Sequence, residues 1–277
     1  MRTVKTMGVL AVTFAVAGCA PPAPRLSSAD LYPLRTTLTV GASLNQTISV
    51  VRSTDVNGVP VIYVHGTPGE AAGWTDYVLE PVTGTQSFAL DRPGFGNSSP
   101  ETAVTSLAAQ AAAVAAVFPQ DGRKVVLVGH SLGGAVVARV AAEHPQQVRA
   151  LVLLASALDP AQEKINPLQY LGQMWPISAM LPRAMRNANA ELMVFKGELD
   201  ALQPLLPRIS APTIIVHGTK DTLVPFANVA YMQAHLRGAQ CVKTVVLTGY
   251  NHFLPWNAEA TVRSAVQWAV AADCAVP

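Results

Sequence analysis

The sequence is poor in charge, in aromatic residues and in cysteine. Charged residues make up 13% of its 277 positions and aromatics 6%, against 50% hydrophobic. So much apolar material beside so little charge excludes a disordered chain and supplies a large core. Lys and Arg number 19 against 17 for Asp and Glu. Two of the positive charges, Arg2 and Lys5, lie in a segment read below as removed, and without them the balance is zero. No basic field remains to attract nucleic acid, which is excluded as a partner. Three cysteines are too few for a disulfide-built scaffold. The length suits one large α/β domain.

The N-terminus reads as an export signal. Arg2 and Lys5 form a positive region, and Met7–Val16 is an apolar stretch too short to span a bilayer. It ends in Val16-Ala17-Gly18-Cys19, which resembles the lipobox of bacterial lipoproteins. That resemblance implies cleavage after residue 18 and acylation of Cys19, which would anchor the chain to a membrane. Ala20 follows where an aspartate would retain such proteins elsewhere, so the expected address is the cell envelope, on the periplasmic face of the outer membrane in a Gram-negative host. Residues 19–35, opening Ala20-Pro21-Pro22-Ala23-Pro24, read as a stiff linker.

Residues 36–277 read as one catalytic-sized domain. Alternating Thr, Val, Leu and Ile over Thr36–Arg52 predict an antiparallel hairpin. Short unbroken apolar runs follow at Val59–Val64, Ser87–Leu90, Lys124–Val128, Val148–Leu154, Pro212–Val216 and Val242–Thr248. Helical stretches lie at Val104–Phe118, Leu132–Glu143, Phe226–Leu236 and Glu259–Ala271. Continuous hydrophobic strands alternating with helices predict a mostly parallel, doubly wound α/β sheet. Residues 157–211 carry no strand signal and are rich in Pro, Met and Leu. They read as a helical cap over the carboxyl ends of the strands, where open α/β sheets bind ligands. Cys241 and Cys274 fall at the start of a strand and just past the helix after it, the same end of the domain. A disulfide is expected there, with two separate buried thiols as the alternative.

Chemistry concentrates at Gly129-His130-Ser131-Leu132-Gly133, which follows an apolar run and opens a helix. A serine on that strand-to-helix turn projects its hydroxyl from a strained backbone. It needs a base, and position discriminates among the six histidines. His130 shares the turn and points elsewhere, His144 caps a helix, and His235 lies in one. His65 and His217 precede glycines at strand ends and read as structural. His252 follows the last strand and is the candidate base. The orienting acid is Asp221, in HGTKDTLVP just after a strand, with Asp159 as runner-up. An oxyanion hole is expected from the N–H groups of Leu132 and Thr67, the latter in His65-Gly66-Thr67-Pro68-Gly69, where Pro68 restricts Thr67 to extended geometry.

These motifs together resemble those of the α/β-hydrolase superfamily over residues 36–272. HGTPG is similar to its oxyanion loop, Asp91-Arg92-Pro93-Gly94-Phe95-Gly96-Asn97-Ser98 to its DxPGxGxS loop, GHSLGG to its nucleophile elbow, and NHF to its base. Asp91 and Arg92 read as loop structure. Haloalkane dehalogenases and epoxide hydrolases carry aspartate at the elbow, and Ser131 sets the chain apart from them. The resemblance implies a serine esterase of the capped branch, working through Ser131, His252 and Asp221 on a small-molecule ester, with no metal or cofactor. Trp74, Met174, Trp175 and Trp256 are candidate pocket residues, and with Tyr170, Ile177, Met180 and Leu181 they imply an apolar acyl group. A proline-iminopeptidase-like enzyme, a lactonase, a carbon–carbon bond hydrolase and a catalytically silent envelope lipoprotein stay open as alternatives.

Overall fold

The structure is a computed structural model, and it describes residues 22–40 and 46–275. The segment expected to be an export signal, Cys19 and residues 41–45 lie outside the described residues. Among the described residues eight strands form one sheet: β1 (Arg35–Val40), β2 (Gln46–Arg52), β3 (Val59–Val64), β4 (Thr85–Leu90), β5 (Val125–His130), β6 (Val148–Leu154), β7 (Thr213–Gly218) and β8 (Val242–Leu247). Their order is β1-β2-β4-β3-β5-β6-β7-β8. β1 pairs antiparallel with β2, Thr36 facing Val50, and β2 pairs antiparallel with β4. All other pairings are parallel.

The central strands are apolar on both faces because both are covered. Ile62, Val64, Leu127 and Leu151 point to one side, toward α2 (Leu107–Ala115), α3 (Leu132–Glu143) and α7 (Ala227–His235). Val61, Tyr63, Val126 and Val152 point to the other, toward α1 (Thr75–Leu79) and α9 (Glu259–Ala271). Alternation along a pleated strand sends neighbours to opposite cores, so neither face can be polar. A four-residue helix, α8 (Leu254–Asn257), precedes α9.

Between β6 and β7 the chain makes an all-helical excursion: α4 (Pro167–Gln173), α5 (Ile177–Met180) and α6 (Arg183–Leu202). α4 begins in a capping box, with Asn166 and Gln169 each accepting from the other's end of the turn and Pro167 at the first helical position. Cys241 and Cys274 form a disulfide with their Cα atoms 5.8 Å apart. It ties the start of β8 to the end of α9, as their places in the sequence lead one to expect.

Candidate active site

β5 ends at His130 and α3 begins at Leu132, leaving Ser131 alone to turn the chain. Ser131 does so at φ 56° and ψ −129°, a conformation that side-chain-bearing residues rarely adopt. Bonds on either side hold it there: its N–H donates to the Leu154 carbonyl at 3.0 Å, and its carbonyl accepts from Gly134 N–H at 2.9 Å. Position 133 has no room for a side chain, because a Cβ there would meet the Val64 carbonyl oxygen at 2.4 Å. α3 therefore packs directly against the end of β3. A Cβ on Gly66 would lie 3.2 Å from Ser131 Oγ, so the Gly66–Thr67 peptide sits beside the hydroxyl. The Thr67–Pro68 bond is cis. Neither Thr67 N–H nor Leu132 N–H is spent on another described residue. Leu132 N–H opens α3, where free N–H groups and the helix dipole favour negative charge.

The loop after β8 brings His252 over the same end of the sheet, and the loop after β7 brings Asp221. His252 Nδ1 donates to Asp221 Oδ2 at 2.7 Å, with both groups buried. A carboxylate only accepts, so Nδ1 is the nitrogen that donates here, and in the neutral ring Nε2 is the one that can take a proton. The other carboxylate oxygen accepts from Leu223 N–H at 2.9 Å and Val224 N–H at 2.8 Å, which locks Asp221 in place. Asp159 is engaged elsewhere, accepting from Ala161 N–H and Gln162 Nε2. Among the described residues the His252 ring has Asp221, not Asp159, as its acid partner.

Three further histidines surround the pair. His130 does not point away from the site: its ring lies 4.7 Å from that of His252, and its Nε2 donates to the His252 carbonyl at 2.9 Å. Burial, helped by the neighbouring His252, pushes its pKa down to about 3, so it is a neutral strut that holds the base loop. His217 donates from Nε2 to the Val224 carbonyl at 3.0 Å, bracing the acid turn, and burial lowers its pKa as well. His65 is lowered to about 3 by burial and by the Arg92 charge. Its Nε2 accepts from Arg92 N–H at 3.0 Å, so Nδ1 carries the proton and donates to the Gly66 carbonyl at 2.7 Å.

Arg92, read from the sequence as loop structure, does more specific work. Fully buried, it donates to the His65 and Gly66 carbonyls at 3.0 and 2.9 Å, beneath the loop that presents Thr67 N–H. Its other contact is bidentate, to Glu191 of α6 at 2.7 and 3.1 Å. Gln110 Nε2 also donates to Glu191, at 3.2 Å. Beside it, Asp91 accepts from Ala71 N–H, Asn97 N–H and Arg35. Burial alone would raise the Asp91 pKa, but these donors outweigh it and hold the carboxyl below its ordinary value. The sequence carries no local sign of Glu191, which lies 99 residues from its partner. His130 was legible as a neighbour of Ser131, but its direction was not.

The expected pocket is redistributed. Trp256 sits near the base, its ring 5.6 Å from His130. Trp74 is 2% exposed and wedged against Tyr63 and Tyr77 in the core. Met174 and Trp175 are 57% and 82% exposed on the helical excursion. Local hydrophobicity cannot tell these outcomes apart, because it reports preference for leaving water and not the surface that provides the shelter.

Comparisons with known proteins agree with the fold. The model of the alpha/beta hydrolase family matches residues 61–264. A non-heme chloroperoxidase from Streptomyces lividans is 29% identical over 233 residues, covering 68% of this chain and 83% of its own length. Among solved structures, a membrane phospholipase A described as a bacterial virulence factor superposes with a TM-score of 0.64 at 23% identity, covering 86% of both chains. The monoacylglycerol lipase of Paleococcus ferrophilus gives 0.66 at 20% identity, over 82% of this chain and 99% of its own. At those identities the structural matches speak for the fold.

Proposed function

The chain belongs to the α/β-hydrolase family, and on that premise we propose that it is a serine hydrolase cleaving carboxylic esters of small or medium apolar acids. The observation that carries this reading is the convergence, at one end of the sheet, of a strained serine, a buried His–Asp pair at 2.7 Å and a peptide N–H beside the serine. Ser131 Oγ attacks the ester carbonyl while His252 Nε2 takes its proton, and Asp221 offsets the imidazolium charge. Thr67 and Leu132 N–H groups receive the oxyanion. Collapse expels the alcohol, protonated by His252. Water then repeats the attack and frees the acid and the serine. These steps need neither metal nor cofactor.

The same reading places the chain in the cell envelope, anchored through an acylated Cys19. The Cys241–Cys274 disulfide supports an oxidising compartment. The chloroperoxidase name of the Streptomyces relative favours a second reading, in which hydrogen peroxide replaces water at the acyl-enzyme, giving a peracid able to oxidise halide.

The test is labelling with a fluorophosphonate probe beside Ser131→Ala, with turnover of p-nitrophenyl esters from acetate to laurate. Labelling that vanishes in the variant, together with ester turnover, is expected. Bromide oxidation in acetate and peroxide without ester turnover would favour the second reading. A folded protein that takes no label would overturn the serine mechanism and leave a binding lipoprotein.

A further inference from the structure

α4 and α5 bury no residue at all. Leu168, Tyr170, Leu171, Met174, Trp175 and Met180 stand 46–82% exposed along them. The helices do not need these side chains to form. α4 is set by its own capping box and held by Asn189 donating to the Gln169 carbonyl at 2.9 Å. A contiguous apolar face on a protein surface marks a partner.

The chemistry around the face selects that partner. From residue 161 to residue 190 the chain carries three cations, Lys164, Arg183 and Arg186, against one acid, Glu163. A two-fold contact with a second copy would press those like charges together with only Glu163 in the segment to meet them. Arg183 is spent on the Gly96 and Ser98 carbonyls, but aliphatic side chains, an exposed Trp and Tyr, and the cations Lys164 and Arg186 are the composition of a segment lying in a membrane interface. A cavity of ≈ 210 Å³ opens beside α4, lined by Lys164, Ile165, Gln169, Leu192 and Leu223 among others. Leu223 donates its N–H to Asp221 at 2.9 Å, so the cavity reaches the acid turn. The described chain begins at Pro22, three residues beyond Cys19, and is fixed by Arg25 donating to Asp76 at 2.8 Å. Cys19 to Arg25 spans about 20 Å at most, so an anchor there would hold the domain against the bilayer.

We propose that the outer face of α4 and α5 docks on a lipid bilayer interface bearing anionic headgroups. This contact is separate from acylation of Cys19 and from the chemistry at Ser131. Residues 25–277 contain every helix, strand and core cluster described above, so that piece keeps the whole fold and removes Cys19 from the test. Flotation with phosphatidylcholine vesicles carrying about a third phosphatidylglycerol should recover it, with a blue shift from Trp175. The combined variant Met174→Ser, Trp175→Ser and Met180→Ser should lose about ten-fold or more of that partitioning. Lys164→Gln with Arg186→Gln should lose about five-fold per charge, on anionic vesicles only. Turnover of p-nitrophenyl acetate per labelled site should stay level in both. Absence of vesicle binding, or equal binding by the triple variant, overturns the proposal. A dimer in sedimentation that the triple variant abolishes assigns the face to a second copy instead.

Discussion

α6 and the α4–α5 pair belong to one stretch of chain, yet α6 buries Asn187, Glu191, Phe195 and Leu199 while α4 and α5 bury nothing. α6 is fastened by polar side chains. Asn187 donates to the Gly94 and Glu101 carbonyls, Arg183 to those of Gly96 and Ser98, and Glu191 closes on Arg92. Those partners belong to the loop after β4, whose Arg92 also holds the Gly66 carbonyl beside Ser131. The apolar side chains of α4 and α5 have no such appointment. A charge buried without its partner is very costly, whereas an exposed Met or Trp costs little until something covers it. The two regions therefore differ in what a substitution should do. The polar side answers in turnover and stability, and the apolar side only when a surface is offered.

The largest effect is expected at the acid. Asp221→Asn should lower ester turnover by about 10⁴ with the fold intact, since the amide can no longer hold His252 in the tautomer that leaves Nε2 free. A steady-state comparison normalised to folded protein reads this directly, and near wild-type turnover would move the acid elsewhere. Next comes Glu191→Ala, which strands the buried Arg92 charge and should cost about 3–5 kcal/mol by denaturant unfolding. If α6 were merely laid on the surface like α4, the cost would stay near zero. Asn187→Ala, which breaks two bonds on the same helix without touching Arg92, should cost about 1–3 kcal/mol.

Acid should weaken the polar region selectively. His65 and His130 are held near 3 in the folded chain, well below the usual value of about 6.5 in an unfolded one. Below about pH 6.5 the unfolded chain takes up protons that the folded chain refuses, so these two groups cost stability progressively toward pH 3 and contribute no slope above about pH 7. The lowered Asp91 carboxyl acts in the same sense, its stabilisation being lost as it protonates. Unfolding free energies between pH 4 and pH 8 check the sign, and His130→Gln should flatten the acid limb. The smallest effect is expected on the outside: Trp175→Ser in the absence of lipid should change stability by less than about 0.5 kcal/mol. A larger loss would mean that the side chain is packed and not waiting for a partner.

Much of this architecture is legible in the sequence because its causes are local. Val148–Leu154 and Leu132–Glu143 match a strand and a helix end to end, since a short apolar-rich run and a longer Ala- and Val-rich one opening on glycines differ in length and flanking signals. The elbow is equally plain, because only small residues at 129, 133 and 134 let a helix start against the strand that precedes it. The order Ser131, Asp221, His252 pointed to the group that converges, since each residue follows a strand and parallel strands deliver their ends to one edge.

What the one-dimensional pattern left open was decided by contact across the fold. Arg92 could be seen to lie in a glycine-rich loop, but its carboxylate partner comes from a helix 99 residues away, chosen by where α6 lands. Trp74 and Trp175 were equally apolar in sequence; one closes a core against Tyr63 and the other faces outward. A hydrophobic side chain carries the free energy of leaving water, whichever surface receives it, whereas a hydrogen bond or ion pair exists only at its own distance and angle. Periodicity and turn chemistry therefore specify elements and their order, and the pairings that tension an active site wait for those elements to meet.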